Sequence, residues 1–388
     1  MPGSTIAQAQ ISARLPGVDA PLVVVGGGPV GSTLGLLVPG ALVLEAGRFP
    51  RDKPCGEGLL PAGVEVLRRA GIELQGPGYP AIPGIQYRAP GAPVARAALA
   101  GTPGRGVRRL RLDSLLAARA GVRCGCRVLG LRQLPSGVEV QTTEGVVGAE
   151  AVVVAAGIGS PLVRQLGWEM PRGDAQRFGL VGHLQAVGGD GDIVVSLLPS
   201  FETYLAPVGA REVLVAVLGS RLALRSLAGG REQRYRGLVA AAHPELAGAP
   251  LSGPVWGAGP FPRPVTQVAS GRVFLAGDAS GFLDPLTGDG ITAGLQQVEF
   301  LAQALAEDLT SAAARYRRWH RAQWRRRRMV GYLARQLSGR PSLTRRALRG
   351  LAERPAALER LINVSQGSSG WGALGAADWA ALLNWGRR

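Results

Sequence analysis

The sequence predicts an α/β protein with a three-layer domain, an inserted and mainly antiparallel sheet, and a helical C-terminal region. Three observations predict this fold. Two apolar strands, one ending near residue 25 and one near residue 275, each run into a glycine-containing turn. Between them, short segments alternate and are punctuated in the manner of antiparallel strands. Beyond about residue 301 the pattern becomes helical.

Length and composition restrict the class of protein. The 388 residues suit one large or two ordinary domains. Three scattered cysteines are too few for a disulfide framework, and their odd number indicates a reducing compartment. The N-terminus lacks the basic start and apolar run of a signal peptide, and no apolar run has the length of a transmembrane helix. The sequence therefore predicts a soluble, cytoplasmic monomer or homodimer.

The first motif follows the strand "LVVV" at residues 22–25 and reads "GGGPVG". This fits G-x-G-x-x-G between a strand and a helix, as in Rossmann-like dinucleotide-binding domains. Gly26 permits the tight turn, Gly28 lets a pyrophosphate approach the backbone, and Gly31 lets helix and strand pack closely. The helix N-terminus then offers free N–H groups to the phosphates. The next strand, "ALVLE", ends in Glu45, which is placed to accept hydrogen bonds from a ribose.

The second motif, "GRVFLAGDASGFLDPLTGDGITAGLQQ", covers residues 271–297. A strand runs into a Gly-Asp turn, and a helix begins near Gly290. Asp278 could bind the hydroxyls of a polyol, and the helix N-terminus could stabilise negative charge on a redox ring. On the residues alone, a purely structural Gly-Asp turn is the alternative.

These motifs together resemble the p-hydroxybenzoate hydroxylase superfamily of FAD-dependent oxidoreductases, and within it the geranylgeranyl-reductase-like branch. The resemblance spans roughly residues 20–300. It is carried by residues 23–31 with Glu45, and by "FPRDKPCGEGLLP", "RRLRLDSLL", "AVVVAAGIGS" and "GRVFLAGDASGFLDPLTGDGI". It implies a glutathione-reductase-type FAD domain with the cofactor extended across the sheet.

The resemblance also implies which residues meet FAD. The glycines of the first motif would contact the pyrophosphate and Glu45 the adenosine ribose. Arg109 would contact the flavin-side phosphate or ribityl region, and Asp278 the ribityl chain. Gly290 and Ile291 would lie by the pyrimidine edge of the flavin. The other residues expected at FAD are Pro29, Ala46, Lys53, Cys55, Gly56, Val128, Ala156, Gly157, Gly277 and Gly288.

One departure from the family pattern concerns the reductant. The strand "VVVAAG" usually ends in Asp-Gly in this superfamily, and here Ala156 stands in the acid's place before Gly157. FAD binding should survive, because the other anchors are intact. No second glycine fingerprint indicates a separate nicotinamide domain. NAD(P)H is therefore expected as a transient reductant, with an external electron donor as the alternative.

The segment "KPCGEG" contains Lys53, the only lysine beside 43 arginines. In proteins that this chain resembles, the segment passes near the flavin, and its glycines would let the backbone run against a flat ring. Lys53 and Glu57 are therefore candidate catalytic residues. The alternatives are a solvated cation at Lys53, a packing role for Cys55, and a loop or capping acid at Glu57.

The predicted antiparallel sheet is the expected substrate layer for a hydrophobic small molecule. His183 is a candidate general acid or base if it faces the cavity. Tyr87, Tyr204 and Pro285 are further candidate substrate contacts, together with His183. The alternative for His183 is a satisfied packing residue. No metal-ligand pattern is present, and no metal is expected.

The predicted domain organisation is discontinuous. Residues 1–19 are expected to be disordered or loosely attached. The FAD domain would comprise residues 20–80, 105–165 and 262–310, the substrate domain residues 81–104 and 166–261, and the basic helical region residues 311–388. Within the last part we expect one helix over 301–338, short helices after Pro341 and Pro355, a flexible link over 365–375 and a short terminal helix.

The net charge of +17 has a large contribution from the arginines of residues 315–360. Three interpretations compete: a solvated arginine-rich helix, peripheral contact with anionic lipid, and nucleic-acid binding in which Trp319 and Trp324 stack on bases. Nucleic acid is the least expected partner, because no recognised nucleic-acid module accompanies the run.

The leading function on sequence alone is a single-component FAD monooxygenase that uses NAD(P)H and O₂ on a hydrophobic or aromatic molecule. The alternative is a prenyl or polyene reductase that transfers hydride to an alkene. A halogenase is less favoured, because no Trp-x-Trp-x-Ile-Pro segment is present. A non-enzymatic redox or nucleic-acid binding protein is the remaining class.

Overall fold

The computed structural model describes residues 19–99, 101–171, 173, 176–186 and 189–383. Residues 1–18, most of the segment predicted to be loosely attached, lie outside the described residues, as do residues 384–388. The strands are β1 Ala20–Val25, β2 Leu42–Glu45, β3 Gly58–Leu59, β4 Ala81–Ile82, β5 Gly84–Arg88, β6 Ala95–Ala98, β7 Gly104–Gly106, β8 Arg123–Cys124, β9 Val128–Gln133, β10 Val138–Thr142, β11 Gly145–Val154, β12 Arg177–Leu184, β13 Ile193–Leu197, β14 Phe201–Gly209, β15 Glu212–Gly219, β16 Trp256–Phe261, β17 Ala269–Ser270 and β18 Val273–Leu275. The α-helices are α1 Pro29–Leu37, α2 Pro61–Arg69, α3 Arg109–Arg119, α4 Pro161–Gln165, α5 Arg231–Ala242, α6 Gly290–Glu307, α7 Leu309–Ser338, α8 Pro341–Glu353, α9 Pro355–Gln366 and α10 Ala376–Leu383.

The first sheet has the strand order β17-β18-β11-β1-β2-β8, with the β9–β10 hairpin attached to β11. Its strands β18, β11, β1, β2 and β8 pair in parallel. Because both faces are covered, the central strand is apolar throughout. Leu22 and Val24 pack with α1, α6 and α7, whereas Val23 and Val25 pack with the hairpin and α4. The predicted three-layer α/β class is confirmed.

The second sheet is seven-stranded, in the order β16-β12-β15-β14-β13-β5-β6. It is antiparallel except for the parallel pair β13–β5. Helix α5 covers one face, where Tyr235 is fully buried. Helices α8, α9 and α10 pack on the other face. A small sheet, β3-β7-β4, contacts β14 of the second sheet and carries the segment after Glu57.

The helix predicted over residues 301–338 is wrong in one respect, because the structure divides it at Asp308. This residue has an extended backbone (φ −164°, ψ 107°). Its carboxylate accepts hydrogen bonds from the backbone N–H groups of Thr310 (2.9 Å) and Ser311 (3.2 Å). Aspartate in this position satisfies the free N–H groups of a helix start. Helix α6 therefore ends at Glu307, and α7 begins at Leu309.

Residues 365–375, predicted to be a flexible link, contact neighbouring helices at two points. Gln366, still within α9, is 1% exposed. Its backbone carbonyl accepts a hydrogen bond from Gln296 Nε2 at 2.9 Å. Trp371 stacks on Trp379 of α10 with ring centroids 6.0 Å apart. The segment is rich in glycine and serine, so its composition did not predict these contacts.

Candidate cofactor and substrate site

The glycine turn after β1 is shaped by close backbone contacts on one side and open space on the other. Gly26 has φ +109°, and a Cβ there would lie 2.6 Å from the carbonyl oxygen of Ala155. A Cβ on Gly31 would overlap the carbonyl oxygen of Gly26. At Gly28, the nearest atom to an added Cβ is Arg109 Nη2, at 3.8 Å. The open side of the turn therefore faces a guanidinium.

Glu45 lies at the end of β2, beside the glycine turn. Its carboxylate accepts hydrogen bonds from the backbone N–H groups of Gly27 (2.9 Å) and Gly47 (2.8 Å), and from Arg51 Nη2 at 2.8 Å. Burial alone would raise the pKa of Glu45, but the two amides, Arg51 and Lys53 outweigh burial and lower it. Glu45 is thus held ionised at the place where the first motif predicts a ribose contact.

Three half-buried ionisable groups lie around the glycine turns. The Arg109 guanidinium donates to Asp113 Oδ1 (2.7 Å) and Oδ2 (2.8 Å). Burial works to lower the pKa of Arg109, but Asp113 and then Cys55 raise it well above its usual range. Burial raises the pKa of Asp278, against the opposing effect of Arg109 and Lys53. Burial, followed by the neighbouring cations Arg51 and Arg109, lowers the pKa of Lys53.

These groups face glycines that leave room beside them. A Cβ on Gly157 would lie 3.7 Å from Lys53 Nζ, and a Cβ on Gly290 would lie 4.0 Å from Asp278 Oδ1. With the gap at Gly28, the space is edged by glycine backbone and lined by two cations and a carboxyl. FAD fits this chemistry, because a diphosphate would relieve the repulsion between the cations and Asp278 could accept from ribityl hydroxyls.

The absent acid at Ala156 has a structural counterpart. Ala156 is half-buried and packs against the core beneath the first sheet. The neighbouring corner at Gly157 is where the Lys53 ammonium lies. The single lysine of the chain therefore lies beside Gly157, the residue that follows Ala156.

The Cys-Gly-Glu segment connects the start of α3 to the second sheet through Glu57. Glu57 Oε1 accepts a hydrogen bond from the backbone N–H of Arg109 at 2.8 Å, and Oε2 lies 2.8 Å from His183 Nε2. Glu57 is 1% exposed and His183 is 2% exposed. Glu57 has φ +55°, the one positive φ found outside glycine in the described part of the chain. Such a conformation persists only where the surroundings hold it, as these two contacts do.

Cys55 precedes this pair in the same loop. Its Sγ accepts a hydrogen bond from the backbone N–H of Glu57 at 3.4 Å. Burial raises the pKa of the Cys55 thiol and outweighs the lowering by Arg109. The thiol is therefore held protonated at neutral pH rather than activated as a thiolate.

Tyr204, on β14, lies across the glycines of two loops. Its ring would be 3.2 Å from a Cβ on Gly56 and 2.7 Å from one on Gly288, and its Oη would overlap a Cβ on Gly58. The hydroxyl is buried and has no hydrogen-bond partner among the residues that the structure describes. Burial raises the pKa of Tyr204 well above its usual range, so the hydroxyl keeps its proton.

Tyr87 shares a sheet face with Tyr204. Val195 of β13 is the register partner of Tyr87 on β5 and of Tyr204 on β14. Directly paired residues point to the same side of a sheet, so the two tyrosines flank one valine. Burial, followed by Asp289, raises the pKa of Tyr87 to about 12. The two predicted substrate tyrosines are thus brought together, whereas His183 is engaged with Glu57.

The structure places the remaining candidates around these groups without drawing all of them into one cluster. Pro29 is the first residue of α1 and Ala46 is exposed after β2. Gly277 donates its backbone N–H to Gln297 Oε1 at 2.6 Å. Val128 packs under the first sheet with Leu162 and its neighbours, and Ile291 packs with Leu59 and Leu295. Pro285 opens the short turn Pro285–Thr287 beside Tyr204's neighbour Gly288.

Sequence reasoning missed several residues of the site. Asp113, the partner of Arg109, had a usable signal in its i+4 spacing on α3. Arg51, the partner of Glu45, lies six residues away in the loop after β2. Arg327 of α7 donates to Asp289 Oδ2 at 3.0 Å, just before the start of α6. These two residues are 38 positions apart and carried no local signal. Within the described residues, no group of three side chains is arranged to hold a metal ion.

Known proteins with similar sequences point to the same cofactor. A family model described as an FAD binding domain matches residues 19–331. A menaquinone reductase of Mycobacterium tuberculosis is 30% identical over 331 residues, covering 74% of this chain and 76% of that protein. The menaquinone reductase of Mycolicibacterium smegmatis is 27% identical over 327 residues, with the same two coverages. A dialkyldecalin synthase of Streptomyces rugosporus is 29% identical over 306 residues, covering 74% of this chain and 65% of the synthase.

Solved structures share the fold at lower identity. A flavoprotein/dehydrogenase from Cytophaga hutchinsonii has a TM-score of 0.78 at 19% identity, covering 89% of this chain and 92% of that one. The flavin-dependent halogenase CmlS has a TM-score of 0.71 at 22% identity, covering 79% and 62%. At such identities the likeness shows the fold alone. The family match and the curated relatives show more: the chain belongs to the FAD-binding-domain family and is an FAD-dependent oxidoreductase.

Proposed function

We propose that this protein is a reductase that saturates a carbon–carbon double bond of a prenylated, hydrophobic substrate. The sequence alone favours a monooxygenase first and an alkene reductase second. The relatives named menaquinone reductase, which match over about three quarters of both chains, support the reversed order. Menaquinone is a prenylated quinone, so the names agree with the reductase alternative. The narrower geranylgeranyl-reductase-like branch stays a prediction.

The observation that carries the proposal is the buried, unpartnered hydroxyl of Tyr204 beside Gly56 and Gly288. Saturating a double bond requires a hydride and a proton. When bound and reduced, FAD supplies the hydride, and a nicotinamide nucleotide restores its two electrons. In this proposal Tyr204 would give its proton to the second carbon, and solvent would return a proton to the phenolate after turnover.

The surroundings of Tyr204 suit an apolar substrate. Its sheet face carries Val181, Ile193, Val195, Ala206 and Leu214, all of which are buried with it. An apolar lining excludes water, which would otherwise compete as a proton donor. The Glu57–His183 pair holds the Cys-Gly-Glu loop against the sheet and thereby fixes where Gly56 and Gly58 meet the tyrosine ring. Glu57 and His183 act here as positioning residues, and Lys53 and Arg109 as cofactor-binding cations.

The first test separates reduction from oxygenation by product mass. FAD-loaded enzyme, reduced with dithionite under anaerobic conditions, is mixed with menaquinone and with a geranylgeranylated lipid in detergent. After air has reoxidised any quinol, a menaquinone that retains two added hydrogen atoms, or a geranylgeranylated lipid that has gained two, is the expected result. If nothing forms anaerobically and a product that has gained oxygen forms with NADPH in air, the reductase proposal is overturned.

The second test concerns the proton donor. Tyr204→Phe should slow single-turnover substrate reduction about 100-fold or more, in the range of a lost general acid. FAD content and the rate of flavin reduction should not change. Tyr79→Phe, at a half-buried tyrosine elsewhere, is the matched control. If Tyr204→Phe and Tyr79→Phe turn over equally fast, Tyr204 is not the proton donor, even if the reduced product forms.

A single-component monooxygenase is the second candidate. The segments "DPLTGDGI" and "ETYLAPVG" occur broadly in hydroxylase-like proteins that this chain resembles. The same anaerobic and aerobic comparison decides between the two reactions.

A further inference from the structure

The arginine-rich part of the chain has an inner and an outer face. Residues 309–352 contain 13 arginines and no aspartate or glutamate. The inner face of α7 is committed to the fold. Arg327 is 8% exposed and paired with Asp289 at 3.0 Å, and Trp324 packs against Gly281.

The outer face combines cations with exposed apolar side chains. Arg321, Arg325, Arg328, Met329 and Tyr332 are all exposed. Their spacings of four, three, one and three residues place them on one side of the helix. Met329 is 52% exposed and Tyr332 is 60% exposed, which is unusual for side chains of this size. Among the described residues, no ion pair involves the three arginines.

A further exposed apolar side chain lies at the start of the next helix, α8. Leu343, in the first turn of α8, is 40% exposed and lies between exposed arginines at 340, 345 and 346. A face with guanidinium groups around protruding apolar side chains is complementary to a bilayer surface, which offers both negative headgroups and acyl chains.

The tryptophans of α7 argue against nucleic acid. Trp319 stacks on Phe300 with ring centroids 4.8 Å apart, and Trp324 stacks on His320 at 5.6 Å. Both rings are therefore occupied within the protein and are not free platforms for bases. The exposed aromatic residue on the outer face is Tyr332, next to a methionine, and this arrangement suits lipid better than a phosphate backbone.

We propose that the outer face of α7, continued by Leu343, docks the protein on an anionic lipid surface. The arginines bind the negative headgroups, and Met329, Tyr332 and Leu343 enter the boundary between headgroups and acyl chains. No step of this argument depends on the reaction proposed above, and the tests measure binding without turnover.

Vesicle binding tests the proposal directly. FAD-loaded, full-length protein is cosedimented with phosphatidylcholine vesicles that either contain or lack phosphatidylglycerol, at several salt concentrations. Binding is expected to the anionic vesicles only and to weaken with salt. Absence of binding to the anionic vesicles, or equal binding to both kinds, would overturn the proposal.

A charge-matched pair of variants locates the face. Arg321→Gln/Arg325→Gln/Arg328→Gln should weaken vesicle binding on the order of 100-fold, because each basic residue near such a surface contributes severalfold. The control triple, Arg119→Gln/Arg127→Gln/Arg225→Gln, removes three exposed arginines elsewhere and should retain most of the affinity. An equal loss in both triples would assign binding to net charge and overturn the assignment of this face.

The apolar contribution is tested at a salt concentration that screens the arginines. Met329→Ser/Tyr332→Ser should then lose most of the remaining binding. Val146→Ser/Leu222→Ser, at side chains that are 63% and 83% exposed, should keep that binding.

Competition with DNA tests the alternative partner, nucleic acid: a DNA duplex is added to vesicle-bound protein. If DNA releases the protein, and this release depends on Arg321, Arg325 and Arg328, the partner of this face is nucleic acid and the lipid proposal is overturned.

Discussion

At the scale of single residues, two glycines of the first motif exclude a side chain for different physical reasons. A side chain on Gly31 would overlap the protein's own backbone, whereas one on Gly28 would enter the space in front of Arg109. Gly31 therefore serves the fold, whereas Gly28 leaves the space that the predicted pyrophosphate contact needs.

This contrast gives a prediction for two substitutions. Gly28→Val should leave a folded protein without FAD, because the side chain fills the path of the pyrophosphate. Gly31→Ala should destabilise the apoprotein by about 3 kcal/mol, as overpacking against rigid backbone does. Flavin absorbance per protein and urea unfolding of both apoproteins measure the two effects. Full flavin content in Gly28→Val would contradict the role of that glycine.

The residues that could be predicted from sequence are those whose partners are close in the chain. The motif "GGGPVG" and Glu45 lie within twenty residues, so strand, turn, helix and strand could be read together. Glu57 and His183 were both singled out, but they are 126 positions apart and nothing in either segment showed that they are partners. The buried, unpartnered hydroxyl of Tyr204 depends on two loops at once and had no sequence signal.

At the scale of elements, α7 supports the Gly-Asp turn from behind. His320 Nε2 lies 3.2 Å from Ser280 Oγ, and that hydroxyl donates to the carbonyl oxygen of Gly277 at 2.8 Å. A helix identified by its arginines thus contributes buried polar contacts under the predicted flavin-binding turn. The sequence predicted the helix, but not its start at Asp308, because helical propensity continues on both sides of that cap.

This contact makes stability depend on pH in a defined range. Burial and then Arg327 lower the pKa of His320 to about 4. Between about pH 6.5 and pH 4 the unfolded chain binds a proton here and the folded chain does not, so stability falls as the pH falls. The loss should total about 3 kcal/mol and level off below pH 4. Urea unfolding of the wild type and His320→Gln at pH 7 and pH 4.5 measures it, and identical pH dependence in both would exclude His320 as the source.

At the scale of the whole molecule, one hydrophobic cluster joins distant parts of the chain. It includes Leu60, Tyr204, Leu348 and Leu382. Helix α10 closes this cluster, because a Cβ on Gly350 of α8 would overlap the carbonyl oxygen of Ala381. The sequence predicted a helix at this end but not what it covers, because the cluster forms only when all its segments meet. Among the described residues, no helix is long and apolar enough to cross a membrane.

Deleting residues 376–388 should expose the apolar side of α8. We expect the midpoint of thermal unfolding to fall by about 5 °C or more, since 1 kcal/mol corresponds to about 2–4 °C in a large domain. Flavin content should be retained, because the glycine turns lie elsewhere. Gly350→Ala, which displaces α10 without removing it, should reproduce part of the shift. A deletion variant as stable as the full chain would show that α10 is dispensable to the cluster.

The parallel pair β13–β5 has a consequence for synthesis on the ribosome. Ile85 is paired with Ile193, so the strand β5 emerges 108 residues before its partner. At about 5–20 residues per second, its apolar side chains wait roughly 5–20 s without their sheet. Only the β5–β6 hairpin can form in that interval, and an isolated hairpin is marginal in water. The nascent chain therefore exposes an unpaired strand edge for several seconds.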